Sequence, residues 1–174
     1  MSSPVNPAKN TLIWLWVSVV MVVADLWSKF VANSSLSYGV PVEVLPVFDL
    51  RLSYNTGAAF SFLADAGGMQ RWFFAVIGVA VSVFLLVWMK RTPRWQWWVG
   101  LAQALVLGGA LGNLYDRIVQ GYVIDFISLH YGEYYFAIFN LADVAITVGA
   151  ALLIIDMLFL EGKVRGGENS KGKA

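Results

Sequence analysis

Four apolar stretches, each about as long as a bilayer is thick, constrain this chain more than any other feature. They run over residues 11–30, 72–89, 95–115 and 141–160. A membrane-spanning helix needs about 20 mostly apolar residues, because lipid offers the backbone no hydrogen-bond partner and a helix satisfies it internally. Hydrophobic residues make up 59% of the 174 and charged residues only 13%, against roughly 25% charged in a soluble domain. The fold class read from this pattern is membrane α-helical: four transmembrane helices with a small extracytoplasmic β-cradle, residues 33–68, between helices 1 and 2. The chain reads as a single integral membrane domain, residues 1–174, whose Gly/Lys-rich tail, 161–174, is expected to be disordered.

No small-residue cleavage site follows the first apolar stretch promptly, so it reads as an anchor and not as a removed signal peptide. Lys9, the Lys90–Arg91–Arg94 cluster, Lys163, Arg165, Lys171 and Lys173 fall on one side of the four spans. The excess of Lys and Arg on cytoplasmic segments then puts both termini in the cytoplasm and the cradle on the outer face. A net charge of +1 gives no nucleic-acid footprint. The absence of cysteine excludes disulfides, thiolate catalysis and cysteine metal sites.

Between the first two spans, residues 47–54 alternate strictly, with Phe48, Leu50, Leu52 and Tyr54 on one side and Asp49, Arg51 and Ser53 on the other. That is the pattern of a half-buried strand. Pro41 and Pro46 bound it, and Asn55-Thr56-Gly57 reads as a turn. A second short strand is expected over residues 58–63. Gly57, Gly67 and Gly68 flank the cradle, which suggests that it opens and closes. Residues 118–139 read as an aromatic-rich connector.

Two acids stand out: Asp125 in that connector and Asp143 in the first turn of the fourth span. Carboxylates at a membrane boundary are costly and need a reason. If the two meet, one keeps a proton and the other stays charged. The charged one can take a proton from water while the other polarises a scissile carbonyl, which is peptide hydrolysis without a metal or a nucleophilic side chain. Two plainer readings stay open. Asn140 and Asp143 have the spacing of a helix cap, and Asp125 can be an ordinary loop acid.

Other polar residues join the candidates. Asp25 and Lys29, four apart at the outer end of the first helix, suit a snorkelling salt bridge or a polar mouth to the bundle. Asn113 and Arg117 suit orientation of a carbonyl or of the acids, and Asp116 and Arg117 suit ion pairs at a helix end. Asn55 and Gly57 suit turn chemistry, or Asn55 reaches toward the site. Gly108 and Gly112 share a helix face and suit close helix packing. His130 with two aspartates is a weak zinc signature without HExxH spacing, so no metal and no cofactor is expected. Asp156, near the inner end of the last span, suits solvation or an ion pair.

Six blocks carry a resemblance: Asp25-Leu-Trp-Ser-Lys29, Asn55-Thr-Gly-Ala-Ala-Phe60, Gly108-Gly-Ala-Leu-Gly-Asn113, Tyr115-Asp-Arg117, Val123-Ile-Asp-Phe126 and Phe139-Asn-Leu-Ala-Asp143. In this order, with four spans, the chain resembles the bacterial lipoprotein signal peptidases (signal peptidase II) over residues 12–160. The resemblance implies an aspartyl endopeptidase of the inner membrane. Asp125 and Asp143 would be its catalytic pair, with Asp25, Lys29, Asn55, Gly57, Asn113, Asp116, Arg117 and Asn140 in support. It also implies a diacylglyceryl-modified prolipoprotein as substrate, cut just before the lipidated cysteine. Contact with membrane lipid, inhibition by globomycin-type compounds and a monomeric state are expected. The rival from the residues alone is a small proton- or ion-coupled transporter, for which membrane carboxylates and an arginine would also serve. No internal repeat supports it.

Overall fold

The computed structural model describes residues 10–57 and 69–160. Four long helices are present: α1 (Leu15–Ser35, entered through a 3-10 turn, Thr11–Trp14), α2 (Met69–Arg91), α3 (Trp97–Val119) and α4 (Leu141–Ile155, continued by a π turn, Asp156–Leu160). All four are long and apolar enough to cross a membrane. The expected second strand over residues 58–63, Gly67, Gly68 and the tail lie outside the described residues.

α3 is the central helix, packed against α1, α2 and α4. In its apolar window 61% of residues are buried, against 22%, 22% and 17% in the other three. The small residues of α3 make this possible. A Cβ on Gly108 would stand 2.7 Å from Met21 Cβ of α1, and one on Gly109 would meet the backbone oxygen of Ala142 in α4. Side chains larger than hydrogen at these points would hold the backbones apart. At the end of the bundle away from the sheet, Thr11 donates its N–H to Thr92 O at 3.1 Å and its hydroxyl to Met89 O at 3.0 Å. These bonds tie the start of α1 to the α2–α3 turn.

The sheet is larger than the sequence suggested. It has four antiparallel strands in the order β1 (Val42–Leu45), β2 (Phe48–Asn55), β3 (Val123–Tyr131) and β4 (Tyr134–Tyr135). The strand expected over residues 47–54 forms one residue later, over Phe48–Asn55, and without the expected alternation. A register shift between Leu50 and Ser53 brings both Asp49 and Leu52 into buried positions, because a bulge changes the parity of the residues beyond it. The connector after α3 is the larger correction. It supplies β3 and β4 and fills the sheet beside β2, so the cradle joins the α1–α2 segment to the α3–α4 segment.

Two ties fix this sheet to the helices. Ile124 N donates to Asp116 Oδ2 at 3.2 Å, holding the start of β3 to the end of α3. Phe126 N and Ile127 N both donate to Phe139 O, at 3.0 and 2.8 Å, and Phe139 N donates back to Ile127 O at 3.0 Å. The residue before Asn140, which caps α4, is thereby stitched to the strand that carries Asp125.

Candidate active site

Asp125 is paired with Ser53 across β2–β3, and Asn55 with Val123. Asn55 and Asp125 are therefore diagonal neighbours on one sheet face, within reach of each other's side chains. Asn55 Nδ2 donates to Asp125 Oδ2 at 3.0 Å. Asn140 Nδ2 donates to Asp125 Oδ1 at 2.7 Å. Both oxygens of a carboxylate only 2% exposed are thus held by amide donors. Burial pushes the Asp125 carboxyl up to about 6, from an ordinary 3.8; the Asn55 bond opposes the rise, the charge of Asp143 adds to it, and the Asn140 bond and Lys29 oppose it.

Asp143 is the third residue of α4, and it completes a capping box: its N–H donates to Asn140 Oδ1 at 3.0 Å and its Oδ2 accepts from Asn140 N at 3.2 Å. Its other oxygen accepts from Asn113 Nδ2 at 2.8 Å. The helix-cap reading of Asn140 and Asp143 is correct, and it coexists with the site. One residue, Asn140, binds both acids, one through its side chain and one through its backbone.

A second layer lies behind the amides. Lys29 Nζ is 2.7 Å from Asp25 Oδ2, 2.9 Å from Asp116 Oδ2 and 2.9 Å from Asn113 Oδ1. Asp25 Oδ1 accepts from Ala142 N at 2.9 Å, so α1 reaches across to the first turn of α4. The expected Asp25–Lys29 ion pair forms, but it does not snorkel. Lys29 is 2% exposed and Asp25 0%, because Gly112 of α3 leaves room for the Asp25 carboxylate against its backbone. The expected ion pair at Asp116 is made with Lys29.

Arg117 behaves differently from Asp116. It donates to Asn113 O at 3.3 Å and lies over the Phe74 ring at 5.1 Å. It interacts electrostatically with Asp143, Asp125 and Asp116, yet among the described residues it makes no direct ion pair. Gly57 holds a turn at φ +83° and donates its N–H to Asn55 Oδ1 at 2.9 Å. His130 does not approach Asp125. Its Nε2 is 3.3 Å from Asp49 Oδ1 and its ring stacks on Tyr135. Asp156 accepts from Trp98 Nε1 at 2.5 Å, a partner that the sequence reading did not anticipate.

A groove of about 310 Å³ between α2, α3 and α4 reaches Asp143. Phe74, Ile77, Val81, Val106, Ala110 and Ile146 make its walls apolar, and Asn113, Arg117 and Asp143 make one end polar. An apolar helix or chain lying in it would bring one end to Asp143. Phe74 and Phe139 are parts of the site that residue types did not flag. An aromatic in an apolar span carries no signal of its own, and Phe139 acts only through its backbone.

Residues 17–159 match the family described as signal peptidase (SPase) II. A lipoprotein signal peptidase of Pseudomonas fluorescens strain Pf-5 is 58% identical over 146 residues, 83% of this chain and 86% of that one. One from Alteromonas mediterranea is 50% identical over 156 residues, 90% and 85% of the two chains. A bacterial membrane enzyme solved by the in meso method superposes with a TM-score of 0.78 at 30% identity, over 87% of this chain and 97% of that one. A second, also solved in meso, gives 0.76 at 31% identity, over 86% and 91%.

Proposed function

The chain belongs to the signal peptidase II family, and we propose that it cuts its substrate with Asp125 and Asp143 as a metal-free dyad. As a lipoprotein signal peptidase it is a membrane protease that removes signal peptides from prolipoproteins. The finer reading is that the substrate cysteine already carries diacylglycerol and that the bond just before it is cut. One observation carries this reading: Asp125 and Asp143, each held through both oxygens by amide or backbone donors, share Asn140 as a partner, and Asp143 stands at the polar end of an apolar groove. A signal-peptide helix is apolar along its length and bears its scissile bond at the outer end, which matches that groove in chemistry.

The reaction follows from the pair. Asp125, pushed up to about 6, is the partner suited to hold the shared proton. Asp143, at a helix N-terminus, is suited to stay charged. Asp143 takes a proton from water as the water oxygen attacks the scissile carbonyl carbon. Asp125 gives its proton to the carbonyl oxygen, and a gem-diol forms. When the C–N bond breaks, Asp143 returns its proton to the amine nitrogen and a diol hydroxyl re-protonates Asp125. The surrounding N–H donors hold both carboxylates through these exchanges.

The remaining parts of the reading are that the chain works as a monomeric single domain in the bacterial inner membrane, with both termini cytoplasmic, in contact with lipid and open to globomycin-type inhibitors. The decisive experiment is cleavage of a diacylglyceryl-modified prolipoprotein by wild type, Asp125→Asn and Asp143→Asn, with folding checked and a chelator control. Wild-type cleavage before the lipidated cysteine, lost in both folded variants and indifferent to chelator, is expected. Cleavage by either variant refutes the dyad.

A further inference from the structure

We propose that Lys29 is a positioning residue for the hydrolysis, acting through Asn113 to keep that residue's NH2 group turned on Asp143. The proposal rests on the dyad reading above. A side-chain amide has two ends of nearly equal size, so its neighbours decide which end faces where. Asn113 Oδ1 accepts from Lys29 Nζ at 2.9 Å and from Asn140 Nδ2 at 3.1 Å, and its Nδ2 donates to Asp143 Oδ1 at 2.8 Å. Turned over, the amide would set NH2 against an ammonium and another NH2, and oxygen against a carboxylate.

The other two amides of the site are fixed by backbone N–H groups, which can only donate. Gly57 N fixes Asn55 at 2.9 Å, and Asp143 N fixes Asn140 at 3.0 Å. Asn113 lies inside α3, where the backbone N–H groups serve the helix itself. A side-chain donor must take that role, and an ammonium has donors only. Lys29 is in turn locked by Asp25 and Asp116, at 2.7 and 2.9 Å, so all three of its N–H groups are used. Asn140, the other donor to Asn113, is divided between Asn113 and Asp125.

A purely structural lysine would clamp Asp25 and Asp116 and nothing more. A double-mutant cycle on turnover separates the two roles. Lys29→Met, Asn113→Ala and the pair are assayed on a diacylglyceryl prolipoprotein in detergent, beside Asp125→Asn and Asp143→Asn. Each single variant is expected to lose roughly 10- to 100-fold in kcat, as loss of an outer partner typically does, with KM little changed. Adding Lys29→Met to Asn113→Ala should cost less than about threefold more, because the route through Asn113 is already gone. Multiplying losses in the pair overturn the proposal.

Lys29→Met strands two buried acids. If it does not fold, the same four-protein cycle of Lys29→Met and Asn113→Ala is run with Asp116→Asn as the background of every protein. Failure of Lys29→Met to fold in that background, where Asp116→Asn alone folds, makes Lys29 structural and overturns the proposal. If Asp125→Asn or Asp143→Asn still cuts, the dyad reading fails. If both are dead and the cycle is additive, only the role of Lys29 fails.

Discussion

Asn140 donates its side-chain NH2 to Asp125 at 2.7 Å from the N-cap position of α4, where its oxygen also takes the N–H of Asp143. The residue that starts the last span therefore also sets the spacing of the two acids. Helix entry and site geometry cannot be changed separately there.

Replacing Asn140 tests that coupling. Asn140→Ala removes the cap and the donor to a buried carboxylate oxygen. The cap alone is worth about 1 kcal/mol, and the stranded acceptor adds about 1–3 kcal/mol. Asn140→Ser keeps a cap of similar rank but has no second arm for Asp125. We expect both variants to lose roughly 10- to 100-fold in kcat, with the serine variant melting nearer to wild type. Thermal unfolding in detergent and a cleavage assay read the two effects separately. A serine variant with wild-type turnover would remove the Asn140–Asp125 bond from the mechanism.

The four spans were legible because apolar stretches of bilayer length admit few other structures. α3 is the exception in kind: its burial among the other three helices shows only in the glycines that pack it. Three of the four strands described were not legible. β1 is four exposed residues between two prolines, too short for a pattern. β3 is buried at Val123, Ile124, Asp125 and Ser128 without clean alternation, since its first half is covered by the helices as well as by β2. Val, Ile, Phe and Tyr in residues 123–131, with Gly121 and Gly132 in turns at φ +88° and +59°, are the signal that was there to read. The resemblance named these acids and their neighbours as one group, and the structure brings their side chains together. Their wiring was not, because a bond such as Asp25 to Ala142 N joins residues 117 apart in the chain.

The raised Asp125 carboxyl predicts a pH dependence of stability. A carboxyl at about 6 when folded and 3.8 when unfolded binds its proton more tightly in the folded state. Its contribution is fully present below about 3.8 and is lost as pH rises through about 6. The difference of about 2 pKa units corresponds to an effect on the order of 3 kcal/mol. Wild-type melting temperature should therefore carry a component that falls between pH 4 and pH 7. Asp125→Asn, whatever its absolute stability, should lack that component. Equal pH slopes for the two proteins would contradict the assignment.

Gly112 and Gly78 make a contrasting pair. A methyl group on Gly112 would enter the space of the Asp25 carboxylate, with Asp25 Cγ at 3.2 Å. Either α1 moves away from α3 or Asp25 turns from Lys29 and Ala142. Overpacking of this kind typically costs about 1–3 kcal/mol. A methyl on Gly78 meets only Leu114 Cδ1, at 3.4 Å, and Ala is favoured over Gly inside a helix by roughly 0.5–1 kcal/mol. Gly112→Ala should lower both melting temperature and kcat, whereas Gly78→Ala should melt at or above wild type. Similar melting of the two would show that α1 and α3 are not in close contact at Gly112.

Gly57 links the sheet, the groove and Asp125. An alanine there meets two obstacles. At φ +83° an L side chain is strained by about 1–2 kcal/mol, and its Cβ would stand 2.6 Å from Phe74 Cε2. Relief of the second moves Phe74, which lines the groove and lies under Arg117. Relief of the first turns the Gly57 N–H away from Asn55, whose NH2 is then free to leave Asp125. The two routes have different kinetic signatures. Displacing Phe74 alters substrate binding and should raise KM, while loosening Asn55 weakens a bond to a reacting group and should lower kcat. In Gly57→Ala both changes are expected. In Gly57→Ala/Phe74→Ala the added methyl has room, so the clash is relieved but the turn stays strained, and kcat should remain low. Recovery of kcat on making that space would mean that the crowding of Phe74, and not the Asn55 amide, is what Gly57 guards.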